Sequence, residues 1–236
     1  MHIDLNCDIG EGFPYDEALM PYMSSANISC GEHAGSAETI HHTISLCKKY
    51  GVAIGAHPSF PDPENFGRKE MHIPEDELFD SLANQIVLIR FWCRVEGAVM
   101  HHVKPHGALY NMAARDRNIS KTIVSVIKEI DSSIILYGLS NSYLISEAEK
   151  AGLQTAAEVF ADRRYTADGY LVPRTEPDAI IEDENIAIEQ ALQFVRNRNK
   201  KRADTICLHG DNDQALPFAK KIYQTFKANN IAIQTI

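Results

Sequence analysis

The sequence predicts an α/β fold, a TIM-like barrel of about seven or eight parallel strands. Three observations support this prediction. Short runs rich in β-branched residues alternate with longer runs that show helical periodicity. The length of 236 residues suits one α/β barrel domain. Polar residues recur just after the predicted strands. Because alternating strands and helices favour a parallel sheet with crossover helices, we expect a single barrel domain over residues 1–236; an open doubly wound sheet is the alternative.

The individual helices and strands are predicted from the spacing of their apolar residues and from the residues that begin and end them. Between residues 75 and 96, Leu78, Leu82 and Ile86 repeat at helical spacing, and Pro74 followed by Glu75 marks the helix start. The predicted strands are 2–7, 26–30, 52–56, 98–103, 134–138, 154–159, 204–208 and 231–235. The predicted helices are 16–24, 37–50, 75–96, 117–130, 142–151, 184–199 and 214–229. Segment 162–183 has no predicted element, and its length indicates a functional loop.

Composition excludes several classes of partner. The net charge of −9 argues against nucleic acid or an anionic membrane surface as the main partner. The five cysteines are odd in number and form no CxxC pair, which favours a reducing compartment over a disulfide framework. The first residues do not resemble a signal peptide, and no apolar stretch reaches the length of a membrane span. We therefore expect a soluble, cytoplasmic protein.

Polar and glycine-rich segments follow six of the predicted strands. In a parallel barrel all strand carboxyl ends open on one face, where loops build the active site. The sequence therefore predicts that these segments meet in one bowl. They are 6–12, 30–35, 55–58, 101–107, 158–163 and 208–212.

Within the predicted bowl, one carboxylate and two imidazoles have the chemistry of a divalent-metal site. They are Asp8, His33 and His57. Their spacing is not a compact metal motif, so acid–base chemistry or polar substrate binding stays open as the alternative.

Further residues are candidates for catalysis. Lys104 and His106 flank Pro105, which stiffens their loop; a lysine there can polarise a carbonyl, and the histidine can transfer a proton. Glu158 and Asp162 are candidate general bases. His209 is a candidate proton donor, although the segment that carries it is equally suited to capping the next helix.

Candidates for substrate binding include three arginines, because a guanidinium makes bidentate contacts with carboxylate or phosphate. These are Arg68, Arg163 and Arg174, for which a surface ion pair is the alternative, and Asn6 at the end of the first strand is a fourth candidate. The chain contains no GxxxxGK[ST] loop, no GxGxxG after a strand and no GxSxG elbow. Any use of ATP therefore requires an unfamiliar site or another chain.

Eight motifs in order make the chain resemble the lactam-utilisation (LamB/YcsF) family. They are DLNCDIGEG at 4–12, ANISCG at 26–31, HAG at 33–35, GAHPS at 55–59, FGR at 66–68, VKPHGALYN at 103–111, EVFADR at 158–163 and CLHGD at 207–211. This resemblance implies a barrel similar to the glycoside hydrolase/deacetylase superfamily. It also implies the role of the A subunit in ATP-dependent conversion of 5-oxo-L-proline and water to L-glutamate, with 5-oxoprolinase subunits B and C as partners.

The resemblance suggests a division of labour in which the partners phosphorylate the lactam oxygen and this chain opens the ring. The chain departs from the family pattern at Glu32 and Ser36, where the family usually has an aromatic residue and an aspartate. Two alternatives stay open: a metal-dependent deacetylase of N-acetyl sugars, and a non-catalytic subunit that binds and delivers 5-oxoproline.

Overall fold

The computed structural model describes residues 1–198, 202–208 and 215–236. The candidate His209 lies outside these described residues. Strands form where the alternating and β-branched runs predicted them, and their boundaries differ from the predictions by a few residues at most. They are β1 (His2–Ile9), β2 (Ser25–Ser29), β3 (Ala53–His57), β4 (Met100–Val103), β5 (Ile135–Leu139), β6 (Thr155–Phe160), β7 (Thr205–Leu208) and β8 (Ala232–Ile233).

The first seven strands form a closed parallel barrel. Each pairs with its neighbour in chain order, and β1 closes the ring by pairing with both β2 and β7. The eighth strand pairs only with His2 and Ile3 of β1, before the ladder between β1 and β2 begins at Asn6. The α/β barrel prediction is confirmed, and the ring contains seven strands.

Helices connect the strands, and one of them was missed from the sequence. α4 begins directly after the Lys104–Pro105–His106 segment, which we interpreted as a loop only, although Leu109 and Met112 are buried at helical spacing. The helices are α1 (Asp16–Leu19), α2 (Ala37–Tyr50), α3 (Glu75–Val95), α4 (Gly107–Arg115), α5 (Arg117–Ile130), α6 (Tyr143–Lys150), α7 (Glu184–Arg196) and α8 (Ala215–Ala228), with 3₁₀ turns at Met20–Tyr22 and Pro63–Asn65. No described helix has the length and apolar character needed to cross a membrane.

Ser36, where the chain departs from the family pattern, still begins a helix. Its side chain accepts a hydrogen bond from the backbone N–H of Thr39 and so caps α2, which an aspartate would also do. At the other end of α2, Gly51 has a φ of 70°, the left-handed conformation that glycine adopts at little cost. The segment between β6 and α7 makes two isolated antiparallel bridges, one of which pairs Arg163 with Ile180.

The inside of the barrel is polar, whereas its outside is apolar. Along β1, Ile3 and Leu5 belong to the large apolar core between strands and helices, while Asp4, Asn6 and Asp8 are buried and bonded to polar side chains of other strands. Because side chains alternate across a strand, one strand supplies both the core and the lumen. This polar lumen leads to the candidate site at the strand carboxyl ends.

Candidate active site

A cavity of about 340 Å³ opens where the strands end and their loops begin. This volume falls in the range of roughly 300–1,000 Å³ typical of small-molecule sites. Charged and imidazole side chains line much of it. The polar lining residues are Asp8, Glu11, His57, Arg68, Glu70, Lys104, His106, Tyr110, Asn111, Arg115, Arg163, Arg174 and Thr175.

Lys104 links two carboxylates at the inner end of this cavity. Its Nζ lies 2.8 Å from Asp8 Oδ1 and 3.0 Å from Glu158 Oε1, and it also donates to Asn6 Oδ1 at 3.3 Å. Burial alone would lower the pKa of Lys104, but the charges of Asp8 and Glu158 and the neighbouring Cys207 more than offset it, so its pKa is well above the ordinary value. The side chain is therefore a fixed cation and not a free amine.

Cys207 contacts the same ammonium, with 3.0 Å between its Sγ and Lys104 Nζ. Burial, followed by the charge of Asp8, raises the pKa of this thiol well above its usual value. The thiol is fully buried. A neutral, enclosed thiol is a poor nucleophile, so we interpret Cys207 as a small buried residue of the barrel interior.

Asn27 orients the carboxylate of Asp8 from below. Its amide nitrogen donates to Asp8 Oδ1 at 2.7 Å and to Asn6 Oδ1 at 2.7 Å, while its oxygen lies 2.8 Å from His102 Nε2. The His102 ring fits only because position 55 is glycine: a Cβ at Gly55 would lie 2.1 Å from His102 Nε2. Asn27 was not singled out from the sequence, since nothing local marks a strand asparagine as inward-facing.

His57 and His106 face each other with an unusual hydrogen-bond pattern. His57 Nδ1 lies 2.7 Å from the carbonyl of Lys104, and His106 Nε2 lies 2.9 Å from the carbonyl of Phe66. Because a carbonyl only accepts, the network assigns an N–H to each of these nitrogens. The remaining nitrogens, His57 Nε2 and His106 Nδ1, then point lone pairs at each other across 2.9 Å.

This arrangement fits a divalent cation. Asp8 Oδ2 lies 3.4 Å from His57 Nε2, and one ligand atom each from Asp8, His57 and His106 lies within 4.8 Å of the other two. Burial, with the neighbouring imidazoles, holds the pKa of His106 well below its ordinary value, so a shared proton is disfavoured. Two neutral imidazoles and one carboxylate form a common donor set for zinc and other transition metals.

His33 belongs to an adjoining group and not to this trio. Its Nε2 lies 3.3 Å from Glu11 Oε1, and its ring stacks on His106 with centroids 3.8 Å apart. Burial, with the nearby His57, lowers the pKa of His33 to about 3. Glu11, His33 and His106 form a second set of possible ligands. Glu11 was missed from the sequence, although it lies in the polar segment 6–12 that follows the first strand.

The loop around Phe66 holds His106 in place. Gly67 has a φ of 65°, and a Cβ there would lie 2.8 Å from the His106 ring and 3.0 Å from His33. Gly107 has a φ of 54°, and a Cβ there would lie 2.4 Å from the Gly67 carbonyl. Glycine at both positions therefore lets two loops approach closely enough to fix the His106 ring.

The three predicted arginines all line the cavity. Arg163 is buried and donates to the carbonyls of Val172 and Ala179, so it also anchors the loop that carries Arg174. Burial, followed by the charge of Arg174, lowers the pKa of Arg163 to about 10, which leaves it charged at neutral pH. Arg68 lies over the ring of Phe66, 4.8 Å from its centroid.

The other predicted residues lie deeper or to the side. Glu158 is fully buried and meets Lys104 and Asn6 below the cavity lining. Within the part of the chain that the structure describes, no group lies within hydrogen-bond distance of its second oxygen or of the Tyr110 hydroxyl. Burial, followed by the charge of Glu158, raises the pKa of Tyr110 well above its ordinary value. Asp162 is buried at the start of the loop after β6 and is not among the residues that line the cavity.

Comparisons with known proteins agree with this geometry. A family model of the LamB/YcsF family matches residues 3–236. The chain is 47% identical to the A subunit of 5-oxoprolinase from Geobacillus thermodenitrificans, over 99% of this chain and 96% of that protein. The crystal structure of a lactam utilization protein from Thermus thermophilus superimposes with a TM-score of 0.93 at 36% identity, covering 100% of both chains.

A more distant protein of known structure has a similar fold. The catalytic domain of a peptidoglycan N-acetylglucosamine deacetylase from Eubacterium rectale matches with a TM-score of 0.57 at 12% identity, over 99% of this chain and 87% of that one. This likeness concerns the fold alone and agrees with the predicted deacetylase-type barrel. From its full-length family match and its close relatives, we conclude that this chain belongs to the LamB/YcsF family.

Proposed function

We propose that this chain is the A subunit of an ATP-dependent 5-oxoprolinase and that it opens 5-oxo-L-proline to L-glutamate in the described cavity. The names of its close relatives support the substrate. The contact of the buried Lys104 ammonium with Asp8, at 2.8 Å, is the observation that carries the proposal. It provides a fixed positive charge, which can stabilise a developing oxyanion, beside a carboxylate that can act on water.

Lys104 stabilises the negative charge that develops on the carbonyl side of the lactam. Its ammonium is held by Asp8 and Glu158, so no reorganisation is needed as the charge grows. Asn6 keeps this pair aligned by donating to Glu158 at 2.9 Å. Glu158 was a candidate base, but a carboxylate buried beneath Lys104 is better suited to holding the lysine than to reaching water.

Asp8 and Glu11 are the buried carboxylates on the cavity wall, and they take the role of orienting and deprotonating water. A divalent metal held by Asp8, His57 and His106 would lower the pKa of a bound water and polarise the carbonyl. His33 stacks on His106 and keeps that ring oriented. We retain Asp162 and His209 as candidates for proton transfer, with His209 protonating the leaving nitrogen.

The arginines at the cavity wall suit an anionic substrate. Arg68, Arg163 and Arg174 would bind the carboxylate of 5-oxoproline, or a phosphate on its lactam oxygen, while the ring lies toward Lys104. Amide resonance protects the lactam carbonyl. Transfer of a phosphoryl group from ATP to the lactam oxygen makes its carbon electrophilic. Water then adds, and the ring C–N bond breaks as the nitrogen takes up a proton, which leaves an acyl phosphate. A second water hydrolyses this acyl phosphate to L-glutamate and inorganic phosphate.

Partner subunits B and C would supply the phosphoryl transfer, because the chain has no phosphate-binding loop motif. The direct experiment measures glutamate release from 5-oxoproline and ATP with this chain alone, with B and C alone, and with all three. We expect release only in the complete mixture. Release by B and C without this chain would refute the proposal.

Two further measurements test the two alternative functions. A deacetylase would release acetate from N-acetyl sugars without ATP or partners and would lose that activity on chelation. A subunit that only delivers substrate would bind 5-oxoproline, yet the complete mixture would keep its turnover after Asp8→Asn or Lys104→Met. Either result would replace the ring-opening assignment.

A further inference from the structure

A stripe of apolar side chains is exposed along the outer face of α3. Val87, Phe91 and Val95 are 50%, 54% and 54% exposed, and Val99, just beyond the helix, is 83% exposed. None of these residues lines the cavity. Single exposed apolar residues are ordinary, but a contiguous exposed patch marks an interaction surface.

The exposed positions of α3 have the spacing of a helix-pairing seam. Asp80, Asn84, Val87, Phe91 and Arg94 follow one another at alternating steps of four and three residues, and all are exposed. This spacing lets the side chains of one helix fit between those of another. The opposite face of α3 is already buried in the core, through Leu78, Leu82, Ile86, Ile89 and Cys93. The helix therefore has a second face that is suited to packing.

The charges at the ends of this seam indicate what packs there. The first turns of α3 are acidic and exposed at Glu77 and Asp80, whereas Arg94 is exposed in the last turn. If two copies pair antiparallel about a point between Val87 and Phe91, each Val87 meets the other copy's Phe91. Each Arg94 then lies alongside the acidic half of the other helix. A parallel pairing would instead place like charges together.

We propose that a second copy of this chain docks on α3, so that the protein forms a two-fold dimer through an antiparallel α3 pair. A two-fold interface must be self-complementary, and the α3 seam meets this condition in both its apolar centre and its charged ends. The seam is separate from the cavity, so the dimer does not depend on the proposed reaction.

The first test is the mass of the protein in solution, measured by sedimentation velocity and light scattering at micromolar concentration. We expect a dimer for the unmodified chain and a folded monomer for Phe91→Lys, with unchanged circular dichroism. Ile186→Lys is the matched control, because Ile186 is 49% exposed on α7, outside the seam. It should remain a dimer.

A charge exchange tests the antiparallel arrangement. Arg94→Glu should weaken the dimer. The double variant Asp80→Arg/Arg94→Glu should restore it, because Arg94 lies opposite Asn84 in this pairing, one helical turn from Asp80 of the other copy, and the exchanged residues again carry opposite charges. A monomeric unmodified chain, a dimer that survives Phe91→Lys, or no recovery in the double variant would overturn the proposal. If the chain is monomeric and Phe91→Lys abolishes co-purification with B and C, the seam belongs to a different chain and the proposal also fails.

Discussion

Lys104 Nζ, just after the end of β4, lies 3.0 Å from Glu158 Oε1 of β6, and both side chains are buried. The burial of two opposite charges is tolerated when each is fully paired, and removing one partner leaves the other uncompensated. Lys104 also contacts Asp8. The same ammonium therefore both pairs the buried carboxylates and carries the proposed catalytic role.

Replacing Lys104 separates its contribution to stability from its proposed contribution to catalysis. Lys104→Met should destabilise the fold by about 3–5 kcal/mol, because Asp8 and Glu158 stay buried without their cation. Adding Glu158→Gln should recover part of this loss in urea unfolding. Glutamate release should fall by roughly 10²–10³-fold or more in both variants, because neither stabilises the developing oxyanion. Wild-type turnover in the double variant would contradict the assigned role of Lys104.

The metal interpretation predicts stoichiometric binding by His57 and His106. Protein stripped with a chelator and dialysed against zinc or manganese should take up one equivalent, measured by mass spectrometry of the metal, and His106→Gln should take up none. His101→Gln is the control, because His101 lies outside both groups of possible ligands. Equal uptake by the two variants would refute this site.

Asn27 should tune that site without contacting the metal itself. Because it donates to Asp8 Oδ1 at 2.7 Å, Asn27→Ala removes the bond that orients the carboxylate. We expect metal affinity to fall by about 10–100-fold, as is typical when an outer hydrogen-bond partner is lost. Calorimetric titration with the metal measures this change. An unchanged affinity would mean that Lys104 alone orients Asp8.

The thiol of Cys207 should be dispensable. Burial raises its pKa well above the usual value, so Cys207→Ala should keep turnover within a few-fold and lose about 1 kcal/mol of stability through the small cavity created. Iodoacetamide should not inactivate the folded protein. Loss of turnover in Cys207→Ala, together with inactivation by the reagent, would instead identify a covalent mechanism.

Asp4 should make stability depend on pH. Burial raises its pKa above 3.8, although hydroxyl donors from Ser24, Ser25 and Thr205 oppose the shift. The folded state therefore holds this proton more tightly than the unfolded state. The contribution of the protonated carboxyl is complete below the unfolded pKa of about 4 and is lost as pH rises through the folded pKa.

Relative to Asp4→Asn, the unmodified chain should therefore lose stability as pH rises from about 4. Asp131→Asn provides a control of opposite sign, because hydrogen bonds from Ser133 lower the pKa of Asp131. For Asp131, the stability of the unmodified chain relative to the variant should increase as pH rises through the acid range. Urea unfolding at several pH values measures both, and parallel profiles for the two variants would contradict the assignment.

The sequence was sufficient to predict the barrel because its pattern repeats locally. The first strand was predicted at 2–7 and is observed at His2–Ile9. In it, Ile3, Leu5 and Cys7 belong to the apolar core, whereas Asn6 bonds to Glu158 across the lumen. α4 was missed because its start coincides with the polar segment that carries His106. The eighth predicted strand exists, but it lies outside the ring, which local periodicity does not reveal.

The site was only partly accessible from the sequence because its decisive contacts are long-range. The positions of His57 and His106 near strand ends are evident from the sequence, but their lone pairs are directed by carbonyls 47 and 40 residues away. The same limit applies to His33, which lies against Glu11 through a contact that spans 22 residues. The gathering of polar residues at the strand ends was predictable from the sequence, whereas the contacts among those residues required coordinates.

The central claim is that lactam opening occurs in this cavity. The most direct measurement compares glutamate release from 5-oxoproline and ATP by B and C reconstituted with the unmodified chain or with Asp8→Asn, which keeps the size of the side chain and removes its charge. Circular dichroism and co-purification with B and C confirm that the variant folds and assembles. We predict that the variant supports less than about 1% of the release, as expected for a lost catalytic carboxylate. Undiminished release with an assembled variant would contradict the account.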